Sequence, residues 1–69
     1  MPIYMVGLNE EHTIKEITGN DKTRLHLTNL GFVVGDTITV IHKVDDNVIV
    51  KIKGISLGIS KELAKRIIV

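Results

Sequence analysis

Arg24-Leu25-His26-Leu27-Thr28-Asn29-Leu30-Gly31-Phe32-Val33-Val34-Gly35-Asp36-Thr37-Ile38-Thr39-Val40-Ile41-His42-Lys43-Val44 is the stretch in which the hydrophobic period of this chain changes from helical to strand-like. Leu27 and Leu30 lie three apart with Thr23 one turn upstream, which gives a short helix one apolar face. Gly31 follows the last apolar residue, where a helix stops through a left-handed residue that glycine adopts without steric cost. Gly35-Asp36 makes a turn, and Ile38, Val40, His42 and Val44 then alternate as strand residues do.

Upstream of this junction, Gly19-Asn20-Asp21 predicts a turn whose Asn20 or Asp21 caps a helix over about residues 21–30. His12–Ile17 predicts a first strand, and the opposite parity of Ile14 and Ile17 within it predicts a bulge or sharp twist. Glu10-Glu11 is expected to be solvated, and the apolar opening is expected to lay Ile3, Met5 or Leu8 over the core. Downstream, Thr37–Val44 and Val48–Lys53 flank Asp45-Asp46-Asn47, a three-residue hairpin connection with Asn47 left-handed. Val48, Val50 and Ile52 face inward with Ile38, Val40 and Val44 in this pattern, while Lys43, Lys51 and Lys53 face outward. Gly54 marks the next turn, Ile55, Leu57 and Ile59 alternate again, and Ser60 caps a helical turn over Lys61–Lys65 before a last strand at Ile67-Ile68-Val69. The order is mainly β: a small five-stranded SH3-like barrel with one short helix after strand 1 and a helical turn before the last strand.

Sixty-nine residues make a single domain, 1–69, which buries only about 60% of the surface its unfolded chain exposes. There is no cysteine, so neither a disulfide nor a thiolate metal cage supports the fold. The core rests on the Ile, Val and Leu of a 43% hydrophobic composition, each worth roughly 1.5–3 kcal/mol when fully buried. Nine basic residues against eight acidic ones leave +1, without the basic excess of a dedicated nucleic-acid binder. Met1–Val6 lacks the basic and long apolar regions of a secretory signal, and no apolar run approaches the roughly 20 residues that span a bilayer. These features predict a cytoplasmic chain with no direct membrane insertion.

The run from His26 to Val40 resembles the basic-L-x-x-L-G-x-x-P-G-x-x-I-x-V signature of the FeoA family, small cytoplasmic partners of the bacterial ferrous-iron transporter FeoB. Gly54-Ile55-Ser56-Leu57-Gly58-Ile59 and Lys61–Ile67 resemble that family's closing strand, short helix and final Ile-x-Val, so the likeness covers nearly the whole chain. The chain departs from the pattern at His26 for Arg or Lys, at Val34 for proline, in its short Asp45-Asp46-Asn47 loop, and at Ser60 for Arg. The resemblance implies an SH3-like barrel and a non-enzymatic accessory or regulatory role in ferrous-iron uptake, through binding the cytoplasmic part of FeoB. It also implies a family-level link to transition-metal ions, which does not require this chain to hold iron.

Candidate chemistry in the residues themselves is sparse. His12, His26 and His42 are spaced 14 and 16 apart, matching no local ligand motif, and read as surface or edge histidines, His42 as a wedge at the barrel mouth; no metal site is assigned. Asp45-Asp46-Asn47 is too short to wrap a hard cation and reads as a turn. Without a cysteine or a Gly-x-Ser-x-Gly elbow, with Glu16 lacking an acidic companion, and with too few residues to wall a pocket of roughly 300–1,000 Å³, no catalytic residue and no cofactor are assigned. Lys43, Lys51 and Lys53 form an outward stripe that reads as edge protection, because Tyr4 and Phe32 are too few aromatics for base stacking; no nucleic-acid partner is expected. Phe32, Val33 and Val34 between two glycines cannot all enter one small core. With Arg24 and His26 they form the candidate partner surface, while the opposing reading has Phe32 plugging the barrel end. An SH3-like nucleic-acid module and a metal-responsive module like that of metal-dependent repressors stay open as alternatives, as does weak homo-oligomerisation through an apolar patch.

Overall fold

The helix stop at Gly31 is built as the sequence predicts. In the computed structural model, which describes residues 1–69, helix α1 spans Asp21–Asn29 and ends in a left-handed Gly31 at φ 106°. Gly31 N–H donates to Thr28 O at 3.0 Å and Phe32 N–H donates to Leu27 O at 3.1 Å. These two bonds make a Schellman motif, and its accompanying apolar contact joins Leu27 and Phe32, both fully buried. At the other end Asn20 Oδ1 accepts Thr23 N–H at 2.8 Å, capping an otherwise orphan donor. Asn20→Ala is expected to lower stability by about 1 kcal/mol in urea unfolding, with the midpoint shifted and the slope unchanged.

The strands are β1 (Glu11–Thr13), β2 (Glu16–Ile17), β3 (Thr37–Val44), β4 (Asn47–Ile52), β5 (Ile55–Ser60) and β6 (Ile67–Ile68), with a short helix α2 (Lys61–Ala64) and a 3-10 turn at Ile3–Met5. One antiparallel sheet runs β1-β3-β4-β5, and β2 pairs with β6 in a second. Taking β1 and β2 as one bent strand recovers the five-stranded SH3-like order. The opposite parity of Ile14 and Ile17 comes from this bend: the chain leaves one sheet at Thr13 and enters the other at Glu16, with Ile14 buried at the corner. Of the two expected causes, a bulge or a sharp twist, the structure has the sharp change of direction, as the chain passes from one sheet to the other.

A bulge does occur, but in β3. Val40 pairs with Val50 and His42 with Ile49, so Ile41 is an extra residue and every later side chain of the strand changes face. Three expectations fall with that one residue. Val44 is exposed instead of inward, and His42 is exposed instead of wedged at the barrel mouth. Lys43 turns to the side of buried Val48, where its ammonium donates to Val6 O at 3.0 Å and lies 5.7 Å from the Tyr4 ring centroid. The β3–β4 connection is a two-residue Asp45-Asp46 turn, with Asp45 and not Asn47 left-handed, because Asn47 already pairs with Val44.

The core contains thirteen buried residues and no buried polar or charged one. Ile38, Val40, Val48, Val50 and Ile52 come from the sheet as predicted, Ile59 joins them from β5, and Leu27, Phe32, Ala64 and Ile67 close its open side. From the opening segment Ile3 and Val6 enter the core, while Met5 and Leu8 are exposed, since the 3-10 turn gives that segment a helical spacing. Ser60 caps α2 by accepting Leu63 N–H at 3.2 Å.

Candidate functional site

The residues after the helix stop are held against the first strand before they reach β3. Gly35 N–H donates to Ile14 O at 2.8 Å, and Ile14 N–H donates to Asp36 O at 2.9 Å. Asp36 N–H closes the turn on Val33 O at 3.1 Å. With Phe32 locked inward by the Schellman motif, the next two side chains are forced outward: Val33 is 42% and Val34 56% exposed. The loop is thus a rigid shelf carrying two solvent-facing valines.

Helix α1 borders this shelf. Residues two apart on a helix diverge by about 200°, so Arg24 and His26 lie on opposite flanks of the buried Leu27 stripe. Arg24 and Thr28, one turn apart, share the flank beside the valines. They line an open groove of about 370 Å³ with Lys15, Glu16, Ile17, Phe32, Val33 and Val34. His26 is exposed and does not line it. Of the five residues singled out from the sequence, the structure therefore gathers Arg24, Val33 and Val34 on one surface with Phe32 fully buried beneath it, and places His26 elsewhere. Lys15 and Ile17 complete the groove; their chain neighbourhood shows no sign of it, because the bend between the two sheets is what brings them there.

The groove has an apolar floor, and its rim carries two cations, Lys15 and Arg24, against one carboxylate, Glu16. The Arg24 guanidinium donates to Asp21 one turn earlier, but both side chains are largely solvent-exposed. Such exposed pairs contribute about 0–1 kcal/mol, so Arg24 can exchange Asp21 for a carboxylate on an incoming surface at little cost. The arrangement suits an apolar anchor flanked by acid. No nucleophile–base pair lies in it.

Other candidates stand apart. His12 lies 3.3 Å from Glu10 at the sheet edge, and no group of three His, Asp or Glu side chains comes close enough to hold a metal ion. The predicted lysine stripe is broken by the β3 bulge: Lys43 faces Tyr4, while Lys51 and Lys53 border a second open groove of about 470 Å³ on the outer sheet face. Depressions of ligand size therefore do form on this small chain, but on its surface. Lys53 sits 3.4 Å from Asp36.

A FeoA domain profile matches residues 1–69. A crystal structure described as an iron uptake regulatory protein (FeoA) is 26% identical, superposes with a TM-score of 0.88, and is matched over 97% of this chain and 91% of its own. FeoA of Stenotrophomonas maltophilia in complex with zinc, described as a prokaryotic SH3 domain protein, is 20% identical with a TM-score of 0.84, covering 99% of this chain and 87% of its own. A manganese-dependent transcriptional repressor shares the fold at 11% identity and a TM-score of 0.88, over 97% of this chain and 39% of the repressor. No curated protein matches the chain closely enough to count as a relative.

Proposed function

The chain belongs to the FeoA family, small accessory domains of ferrous-iron transport, and on that premise we propose that it is a non-enzymatic regulator that docks on the cytoplasmic part of a FeoB-type transporter. The observation that carries the site is the Val33–Val34 shelf with Arg24 beside it. Two exposed valines on a hydrogen-bonded loop are already ordered before binding, so docking loses little conformational freedom there. Arg24 and Lys15 select an apolar contact bordered by carboxylates, and affinity comes from the few apolar anchors. Residues 1–69 act as one domain in the cytoplasm, and no helix of the chain is long and apolar enough to cross a membrane. There is no Gly-x-x-x-x-Gly-Lys-Ser/Thr loop, so nucleotide chemistry at the contact belongs to the partner. Of the expected lysine stripe, Lys51 and Lys53 share the outer sheet face and Lys43 does not.

Calorimetric titration of the chain with the cytoplasmic portion of its cognate transporter tests the docking. Saturable one-to-one binding is expected. Absence of binding at about 1 mM partner, where an interaction of only about −4 kcal/mol still registers, overturns it.

A further inference from the structure

The two edges of the main sheet are unlike. At one edge β1 has only three residues, Glu11-His12-Thr13, with Glu10 beside them, so it is short and charged. At the other, β5 is twice as long and reads Ile55-Ser56-Leu57-Gly58-Ile59-Ser60, with no charge and no proline. Sheets protect exposed edges by shortness, charge or proline; β1 has two of these devices and β5 has none.

The backbone of β5 is also unpaired on its outer side. Ile52 and Ile55 flank the two-residue turn Lys53-Gly54, whose φ values of 51° and 76° match the hairpin turn that makes the flanking pair hydrogen-bonded. Alternation then directs the N–H and C=O of Ile55, Leu57 and Ile59 to β4 and those of Ser56 and Gly58 outward. No other backbone or side-chain hydrogen bond engages Ser56 or Gly58. Alongside this edge Leu30, Ile52, Ile55 and Leu57 line an apolar cleft of about 110 Å³, with Ile55 64% exposed.

We infer that β5 is an interface for a second copy of this chain, pairing antiparallel with the same strand about a two-fold axis at Leu57. The choice of occupant rests on self-complementarity. In this register Ser56 exchanges its outward N–H and C=O with Gly58 of the second copy, and Gly58 does so with the second copy's Ser56. Leu57 meets Leu57 of the second copy on the face where the cleft lies, and Ile55 takes the register position opposite Ile59, which stays buried in its own core. The outward-facing row of serine and glycine leaves no bulky side chain between the copies. Just past the paired residues, the turn residue Lys53 of one copy and the α2 residue Lys61 of the other put like charges at each end, which keeps the association weak and concentration-dependent. The pairing surface shares no residue with the Arg24–Val34 groove, so it stands or falls independently of transporter docking.

The test is a concentration series on the full chain, followed by sedimentation and by amide hydrogen exchange. The expected result is a mass rising from 7.7 kDa toward twice that value, with exchange at Ser56 and Gly58 slowing as concentration rises. Ser56→Pro deletes only an outward N–H, and Ser56→Lys puts a charge on the edge while keeping the N–H; both are expected to hold the chain monomeric. The lysine variant decides the matter where the proline variant fails to fold. A chain that stays monomeric at millimolar concentration overturns the inference. So does association that persists in the folded lysine variant or leaves Ser56 and Gly58 unprotected.

Discussion

Phe32→Ala is expected to destabilise the domain by about 3–5 kcal/mol, the largest effect of any single truncation in the chain. Phe32 is the bulkiest fully buried side chain, it follows the left-handed Gly31, and its ring occupies the space that the sheet leaves open beside Leu27. A domain of this size has a total stability of about 3–10 kcal/mol, so the variant is largely unfolded at the lower end of that range. Urea unfolding measures the loss, and Phe32→Leu, which keeps more of the volume, is expected to retain more of the stability. A folded Phe32→Ala domain with near-native stability and abolished docking would return Phe32 to the surface as a partner anchor.

Val34→Asp is expected to do the reverse. The side chain stands more than half exposed on a loop fixed by backbone bonds, so the substitution should change stability by no more than about 0.5 kcal/mol. Docking should weaken by about 30-fold or more, the loss of a hot-spot anchor worth about 2 kcal/mol. The aspartate also places a charge in an apolar contact and takes up Arg24 or Lys15 internally. His26→Asp is the matched control: it adds the same group on the opposite flank of α1 and should leave docking unchanged. Thermal melts and calorimetry on the two variants read both quantities. Equal losses from the two would mean that general acidity, and not this groove, governs the interaction.

Local signals carried most of the fold. Asn20, Gly31 and Ser60 act through bonds to residues three to five positions away, so their roles are legible in a short window of sequence. The inward set Ile38, Val40, Val48, Val50 and Ile52 was legible for the same reason, through strict alternation. What was not legible depends on pairing between distant strands. The extra residue Ile41 is defined only by the register of β3 against β4, and with it went the placement of His42, Lys43 and Val44. The break between β1 and β2 is likewise a property of two sheets. The candidate surface divides along the same line: the outward valines follow from a crowded loop between glycines, whereas Lys15 and Ile17 join them only through the fold. The separation of Arg24 from His26 needed no structure, since two positions on a helix already point apart.

The most direct test of the docking surface is an amide-resolved NMR titration of the labelled chain, held dilute, with the cytoplasmic portion of the cognate transporter. Docking through the groove predicts saturable shifts clustered at Lys15–Ile17, Arg24, Thr28 and Val33–Gly35, with His26 and the outer-face residues Thr37, Thr39 and Lys51 unmoved. Saturable shifts centred on that outer face, or no shifts at saturating partner, would contradict it.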